Sequence, residues 1–263
     1  MPIDYEVSGG IAEVQINRPE KLNSLTLDMY RELGDAFLEA RDDDRVEVLV
    51  LTGAGERSFC VGADLTESIP ALSEDRFDIS EWDDAHLKHS SLHKPVISAI
   101  NGLCIGGGFE IMLATDIRVA SSSAEFGLPE PGLGIVPAGG TLVRLVRQIA
   151  YAHAMELLLT GERVSATEAL RMGLVNRVVE REELMPTAMK FAERIASISP
   201  TAVQNIKETV TRLRDLPLEE AFSEEARLAQ RAFTSLDAKE GLKAFIERRS
   251  PDFPSHRNRD KHA

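Results

Sequence analysis

Asn101-Gly102-Leu103-Cys104-Ile105-Gly106-Gly107-Gly108-Phe109-Glu110 carries an apolar run into three consecutive glycines and then into a helix. Just upstream, residues 95–100 are almost unbroken in their apolar character, as in a strand covered on both faces. Strand, glycine turn and helix in that order make a β/α unit with a short connection. Glycines let a ligand approach the backbone closely. The first N–H groups of a helix lack intrahelical partners and carry positive potential, so such a turn can hold an anion or an oxyanion. No Lys-Ser or Lys-Thr follows the glycines, and the Gly-x-Gly-x-x-Gly spacing is missing, which excludes a Walker loop and a dinucleotide fingerprint. A tight turn with no ligand is the other reading of the same residues. Glu110 lies one helical turn past Gly107, with a side chain that leans back toward the glycines. It either complements its helix dipole or, among Phe109, Ile111, Met112 and Leu113, is a buried carboxylate that needs a partner or a task.

The same unit recurs outward from this point. Ile11, Val14 and Ile16 mark a strand, and Thr26 is an N-cap, with Asp28 in the first turn, for a helix reaching about Ala40. Apolar runs at 46–51, 116–120 and 174–179 predict further strands, with helices near 109–114, 141–149 and 152–159. No strand signal follows Val179. Leu184, Ala188, Phe191 and Ile195, then Val203, Ile206, Val210 and Leu213, then Phe222, Ala226, Ala229 and Phe233 recur at helical spacing. The division expected is an α/β core over 1–184, a helical region over 185–250 and a polar, frayed tail over 251–263. Residues 66–92 read as a mobile segment or irregular helix, and His86, His89 and His93 within and beside it as surface or capping residues.

Two further segments can carry chemistry. In Phe126-Gly127-Leu128-Pro129-Glu130-Pro131-Gly132-Leu133-Gly134, Pro131 pushes Glu130 toward an extended conformation on a stiff loop, a good mount for a catalytic acid or else an exposed turn. Ser58-Phe59-Cys60-Val61-Gly62-Ala63-Asp64-Leu65 can present another backbone N–H to a cleft, with Asp64 alternatively an N-cap.

The 263 residues carry 43 acidic against 30 basic side chains, a net charge of −13, which disfavours nucleic acid and anionic membrane surfaces as partners. Two cysteines, Cys60 and Cys104, supply neither a Cys-rich zinc site nor a CxxC motif, and a reducing cytoplasmic setting is the expectation. No signal peptide and no membrane span are expected.

These segments together resemble the enoyl-CoA hydratase/isomerase (crotonase) family. The resemblance rests on Ile16-Asn17-Arg18-Pro19, Leu22-Asn23-Ser24-Leu25, Phe59 through Leu65, Lys94 through Gly102, Gly106 through Glu110, the Glu130 loop, Gly139-Gly140-Thr141 and Leu159 through Arg163, in the family's order over roughly residues 5–250. It implies a crotonase-type ββα superhelix with a C-terminal helical region that trimerises, and an acyl-CoA thioester substrate. It implies an oxyanion hole from the N–H groups of Ala63 and Gly107, with Gly62, Asp64, Leu65 and Gly106 around the substrate. Glu110 and Glu130 match the two glutamates of the family's hydratases, Glu130 as proton donor to Cα and Glu110 as the group that activates water. No metal or redox cofactor is implied, coenzyme A being part of the substrate. The Leu22–Ser24 loop is expected to border the adenine, and an acidic protein needs local cations for the CoA phosphates, for which Lys21, Arg248 and Arg249 are the candidates. Arg248 and Arg249 alternatively complement a helix C-terminus. The resemblance implies a homotrimer or a dimer of trimers. Pro131 and Gly132 depart from many short-chain hydratases, a departure expected to open or reshape the acyl pocket. The competing assignments are a carnitinyl-CoA dehydratase-like enzyme, a 3,2-enoyl-CoA isomerase and a non-catalytic acyl-CoA-binding paralogue.

Overall fold

Ten strands, β1 (Ile3–Ser8), β2 (Ile11–Ile16), β3 (Val48–Gly53), β4 (Ser58–Cys60), β5 (Val96–Ile100), β6 (Leu103–Ile105), β7 (Ile117–Ser121), β8 (Glu125–Gly127), β9 (Val164–Ser165) and β10 (Arg177–Val179), form two sheets in this computed structural model, which describes residues 2–74, 77–89 and 91–258. The larger sheet runs β1-β2-β3-β5-β7-β10, parallel except for the β1–β2 hairpin. The smaller runs β4-β6-β8-β9, with β4, β6 and β8 parallel. Each consecutive pair β3–β4, β5–β6 and β7–β8 thus gives one strand to each sheet before the chain moves on, which is the ββα superhelix. The first hairpin turns on Gly9 and Gly10, both at positive φ.

The larger sheet is covered on both faces at its centre, where strands β3, β5 and β7 alternate between two apolar clusters. Leu49 and Leu51 of β3 and Ile100 of β5 face the main core, whereas Val48, Val50, Ile97 and Ala99 face the opposite side. Helix α1 (Leu27–Asp42), capped by the Thr26 side chain accepting from Met29 N–H, packs on the first face through Met29, Tyr30, Leu33 and Phe37. The expected stop before Asp42 falls two residues short, because the acidic turn begins at the C-cap Asp43.

Helix α2 (Ser68–Ser73) and a 3-10 turn (Ile79–Trp82) occupy the segment expected to be mobile or irregular; Asp75, Arg76 and Ser90 lie outside the described residues. Helices α3 (Gly107–Leu113), α4 (Thr141–Gln148) and α5 (Tyr151–Thr160) fall where the periodicity puts them, and α6 (Ala166–Arg171) precedes β10.

The expected break between residues 184 and 185 falls inside α7 (Arg181–Ala196). Leu184, Ala188, Ala192 and Ala196 lie on its buried side, at the i, i+4 spacing that makes one stripe. They cover the second face of the larger sheet, so α7 packs as part of the core. Beyond it, α8 (Pro200–Leu213), α9 (Leu218–Phe233) and α10 (Leu236–Glu247) form a helical layer. The apolar stripes read in α8 and α9 are exposed in the single chain: Ile206 and Val210 are each 63% accessible, Phe222 56% and Phe233 77%.

The tail, expected to fray from 251, instead docks through its first residues. Ser255 Oγ and N–H both reach the buried Asp237, and His256 Nδ1 lies 2.6 Å from Glu47 Oε1. Residues 259–263 of that expected tail lie outside the described residues.

Candidate active site

The two sheets bring the glycine turn, the Ala63 loop and the Glu130 loop to one end of the core. Gly62, at φ 84°, sits so close to the turn that a Cβ there would lie 2.6 Å from Gly107 N. Gly106, at φ 55°, would place a Cβ 2.9 Å from Glu130 Oε1. Both positions combine positive φ with close approach, which only glycine tolerates. Leu25 forms a parallel bridge with Ala63: its N–H bonds Gly62 O and its carbonyl accepts from Asp64 N, both at 2.8 Å. That bridge uses the groups on either side of Ala63. The Ala63 N–H and the Gly107 N–H at the start of α3 have no acceptor among the described residues.

These groups open onto a cavity of about 460 Å³. Its walls are mostly apolar, from Leu65, Ile69, Leu72, Ile79, Trp82, Leu133 and Val136, and Glu110, Glu130, Ala63, Gly106 and Gly107 all face it. Glu110 is 6% exposed, and its Oε1 accepts from Gly139 N–H at 2.6 Å. Burial, with the Glu130 charge second, pushes its pKa up to about 7, against the Gly139 hydrogen bond that favours the ionised form. Burial likewise raises Glu130, whose Oε2 has no hydrogen-bond partner. Glu130 opens a 3-10 turn (Glu130–Leu133) rather than lying extended; Pro131 is tolerated there because the first turn asks no hydrogen bond of its nitrogen. Two carboxyl groups in one apolar cavity, both pushed by burial toward their protonated forms, can move protons on and off a bound substrate.

The structure brings only part of the expected site together. Asp64 is tied internally: Thr66 N–H and hydroxyl bond one oxygen, Arg18 Nη1 the other at 2.7 Å, and these bonds hold its pKa down at about 2. Arg18 also bonds the Ser24 carbonyl and hydroxyl, so it fastens the 22–24 loop to the Ala63 loop. Asp64 is not an N-cap of α2, which begins at Ser68. Lys21, Leu22 and Ser24 do not line the cavity, nor do Arg248 and Arg249. Arg249 bonds Glu240 and Glu247, whereas Arg248 is exposed at the C-cap of α10.

Two residues at the site, Tyr30 and Trp82, went unread in the sequence, and a third, His86, was expected to be a surface or capping residue. His86 is fully buried, not on the surface: its Nδ1 meets the Trp82 carbonyl at 2.9 Å, and its Nε2 lies 4.0 Å from Glu110 Oε2. Burial drives its pKa down to about 4, so the ring is neutral. Since a carbonyl only accepts, Nδ1 carries the hydrogen and Nε2 a lone pair. Tyr30 stacks on Trp82 with ring centroids 4.2 Å apart, and both rings reach the cavity. The signal for this cluster is thin, because one ring comes from α1 and two from irregular backbone.

The sequence profile of the enoyl-CoA hydratase/isomerase family matches residues 6–256. The (E)-benzylidenesuccinyl-CoA hydratase of Thauera aromatica is 43% identical over 96% of this chain and 99% of that protein. The short-chain-enoyl-CoA hydratase of Clostridium acetobutylicum is 41% identical over 93% of this chain and 94% of that protein. The crystal structure of an enoyl-CoA hydratase from Bacillus anthracis superimposes with a TM-score of 0.92 at 36% identity, covering 97% of this chain and all of that one. With that sequence match and that fold, the chain belongs to the enoyl-CoA hydratase/isomerase (crotonase) family.

Proposed function

We propose that the protein is a 2-enoyl-CoA hydratase, adding water reversibly across the double bond of an enoyl thioester in the syn sense. The carrying observation is that Glu110 and Glu130 face one apolar cavity beside the unengaged N–H groups of Ala63 and Gly107. Hydration puts OH on Cβ and H on Cα. Glu110 takes a proton from the attacking water, and Glu130 delivers one to Cα. The negative charge that collects on the thioester oxygen is met by the two N–H groups, each worth roughly 10²–10³ in rate. No electrons change hands, so the step calls for no redox cofactor.

Lys21, the Leu22–Ser24 loop and Arg248 are the proposed contacts for the nucleotide end of CoA. Association into a homotrimer or a dimer of trimers is supported by the exposed stripes of α8 and α9. The acyl cavity is apolar and bordered by Trp82 and Leu133, which suits an unsaturated acyl group without charge near Cβ.

The test is loss of the conjugated enoyl-thioester absorbance with crotonyl-CoA and a panel of longer or bulkier enoyl-CoA esters. Glu130→Gln should lower turnover by about 10²–10⁴-fold while CoA-ester binding survives. Near-native hydration by that variant would refute the assignment of the proton donor.

A further inference from the structure

Tyr30 is 1% exposed, and its hydroxyl has no hydrogen-bond partner among the described residues. A buried phenol without an acceptor is costly, so the vacancy calls for an explanation. Its position offers one. The Tyr30 oxygen stands 2.5 Å from the point where a Cβ would project from Gly107, and the same point is 3.6 Å from Ala63 N. The hydroxyl therefore shares one corner of the cavity with both unengaged N–H groups. The ring has little freedom to turn away, being stacked flat on Trp82 at an interplanar angle of 13° and rooted in the capped helix α1.

We propose that Tyr30 is a further catalytic residue, whose O–H donates a third hydrogen bond to the thioester oxygen as charge builds there. The proton stays on the phenol; only the hydrogen bond strengthens. Burial raises the Tyr30 pKa well above its ordinary value, with Cys60, Glu110 and Glu130 adding to the shift, so the group remains a donor across the working range. Neither carboxylate takes the hydrogen bond in the free protein, which leaves the donor for an acceptor that arrives with substrate. This assignment rests on the hydratase reading of the site.

Tyr30→Phe removes one oxygen and keeps the stacked ring. Turnover should fall by about 10²-fold, the low end for one oxyanion donor, with little change in KM and no displacement of the pH profile. Melting temperature should hold or rise, since the variant deletes an unsatisfied buried donor. A second readout needs no turnover: bound 4-aminocinnamoyl-CoA absorbs at longer wavelength as its carbonyl is polarised, and that shift should shrink in Tyr30→Phe. A variant with wild-type turnover and an unchanged shift overturns the proposal, as does a lost turnover accompanied by a lower melting temperature and an unchanged shift. If the wild-type protein hydrates no enoyl-CoA, the hydratase reading fails by itself, and the spectral shift still decides whether Tyr30 touches the carbonyl.

Discussion

Glu110 is held in a place that favours its protonated form. Its neighbour His86 gives no relief, because a ring with a pKa near 4 is neutral wherever Glu110 is ionised. The consequence for activity has a definite sign. As the base toward water Glu110 must be ionised, so hydration turnover should climb with pH through an acidic limb near 7, the value to which Glu110 is raised. The consequence for stability runs the other way. Between about pH 4.5, where the unfolded carboxyl titrates, and about 7, the native state holds the extra proton, so this group's contribution to stability falls as pH rises. At roughly 1.36 kcal/mol per unit the full loss is about 3 kcal/mol. Glu110→Gln should therefore be inactive yet more stable than wild type by about 1–3 kcal/mol at pH 8, with the difference gone below pH 4.5. Urea unfolding of both proteins at the two pH values checks this, and an equal difference at both would show that ionisation of Glu110 is not its source.

Helix α3 sets where the glycine turn points, and it is only Gly107–Leu113 long, so its far end must be fixed by something else. Arg118 does this. Its buried guanidinium donates to the carbonyls of Met112 and Leu113, which also accept from Thr115 and Gln148, to those of Thr115 and Leu174, and to Gln148 Oε1, placing a cation at the end of α3 where the dipole favours one. Arg118→Met should cost about 3 kcal/mol by leaving the buried carbonyls of Thr115 and Leu174 unpaired. Arg118→Lys should recover little of it, since an ammonium cannot span the same fork of acceptors. Denaturant midpoints of the two variants test this; full recovery by lysine would mean that charge alone suffices. Elements also differ in how much of themselves the sequence displays. The central strands β3, β5 and β7 of the larger sheet are covered on both faces, so their apolar runs stand out, and Thr26 announces α1 chemically. The three-residue strands β4, β6 and β8 are defined by their pairing with one another and leave no periodic trace. Glu110 and Glu130 were legible because a carboxylate in an apolar helix and one between two prolines are each locally odd. Tyr30 was not, because in α1 it looks like any other core aromatic, and His86 was not, because its burial depends on Trp82 and α1 closing over irregular backbone.

At the scale of the whole molecule, a chain of net charge −13 has to hold a ligand bearing several phosphate charges. It also exposes large apolar side chains in its last three helices, including Phe233, Phe245 and Ile246 at 77%, 83% and 79%. Burying them between copies predicts a sedimentation mass of three or six chains, and a single-chain mass at micromolar protein would refute that assembly. The last of these helices, α10, is followed by the two arginines considered for CoA, and their surroundings differ. Arg249 is engaged by Glu240 and Glu247. Arg248 is exposed and sits at φ 53°, in the left-handed region, as the C-cap of α10. Glycine is the usual residue where a helix ends in that conformation, and a side chain with a Cβ there costs of order 1 kcal/mol. An arginine at such a position is explained if its charge meets a ligand. Arg248→Gly should then stabilise the protein, by releasing the strain, while raising KM for CoA esters about tenfold or more through loss of a charge-assisted phosphate contact. Turnover at saturation should be unchanged, and a truncated acyl-pantetheine thioester lacking the nucleotide should show no KM difference at all. Arg249→Gly should instead leave KM alone and loosen the end of α10. If Arg248→Gly gains stability and binds CoA esters as tightly as wild type, Arg248 is only a helix terminator, and the phosphates are met elsewhere, with Lys21 the first residue to test.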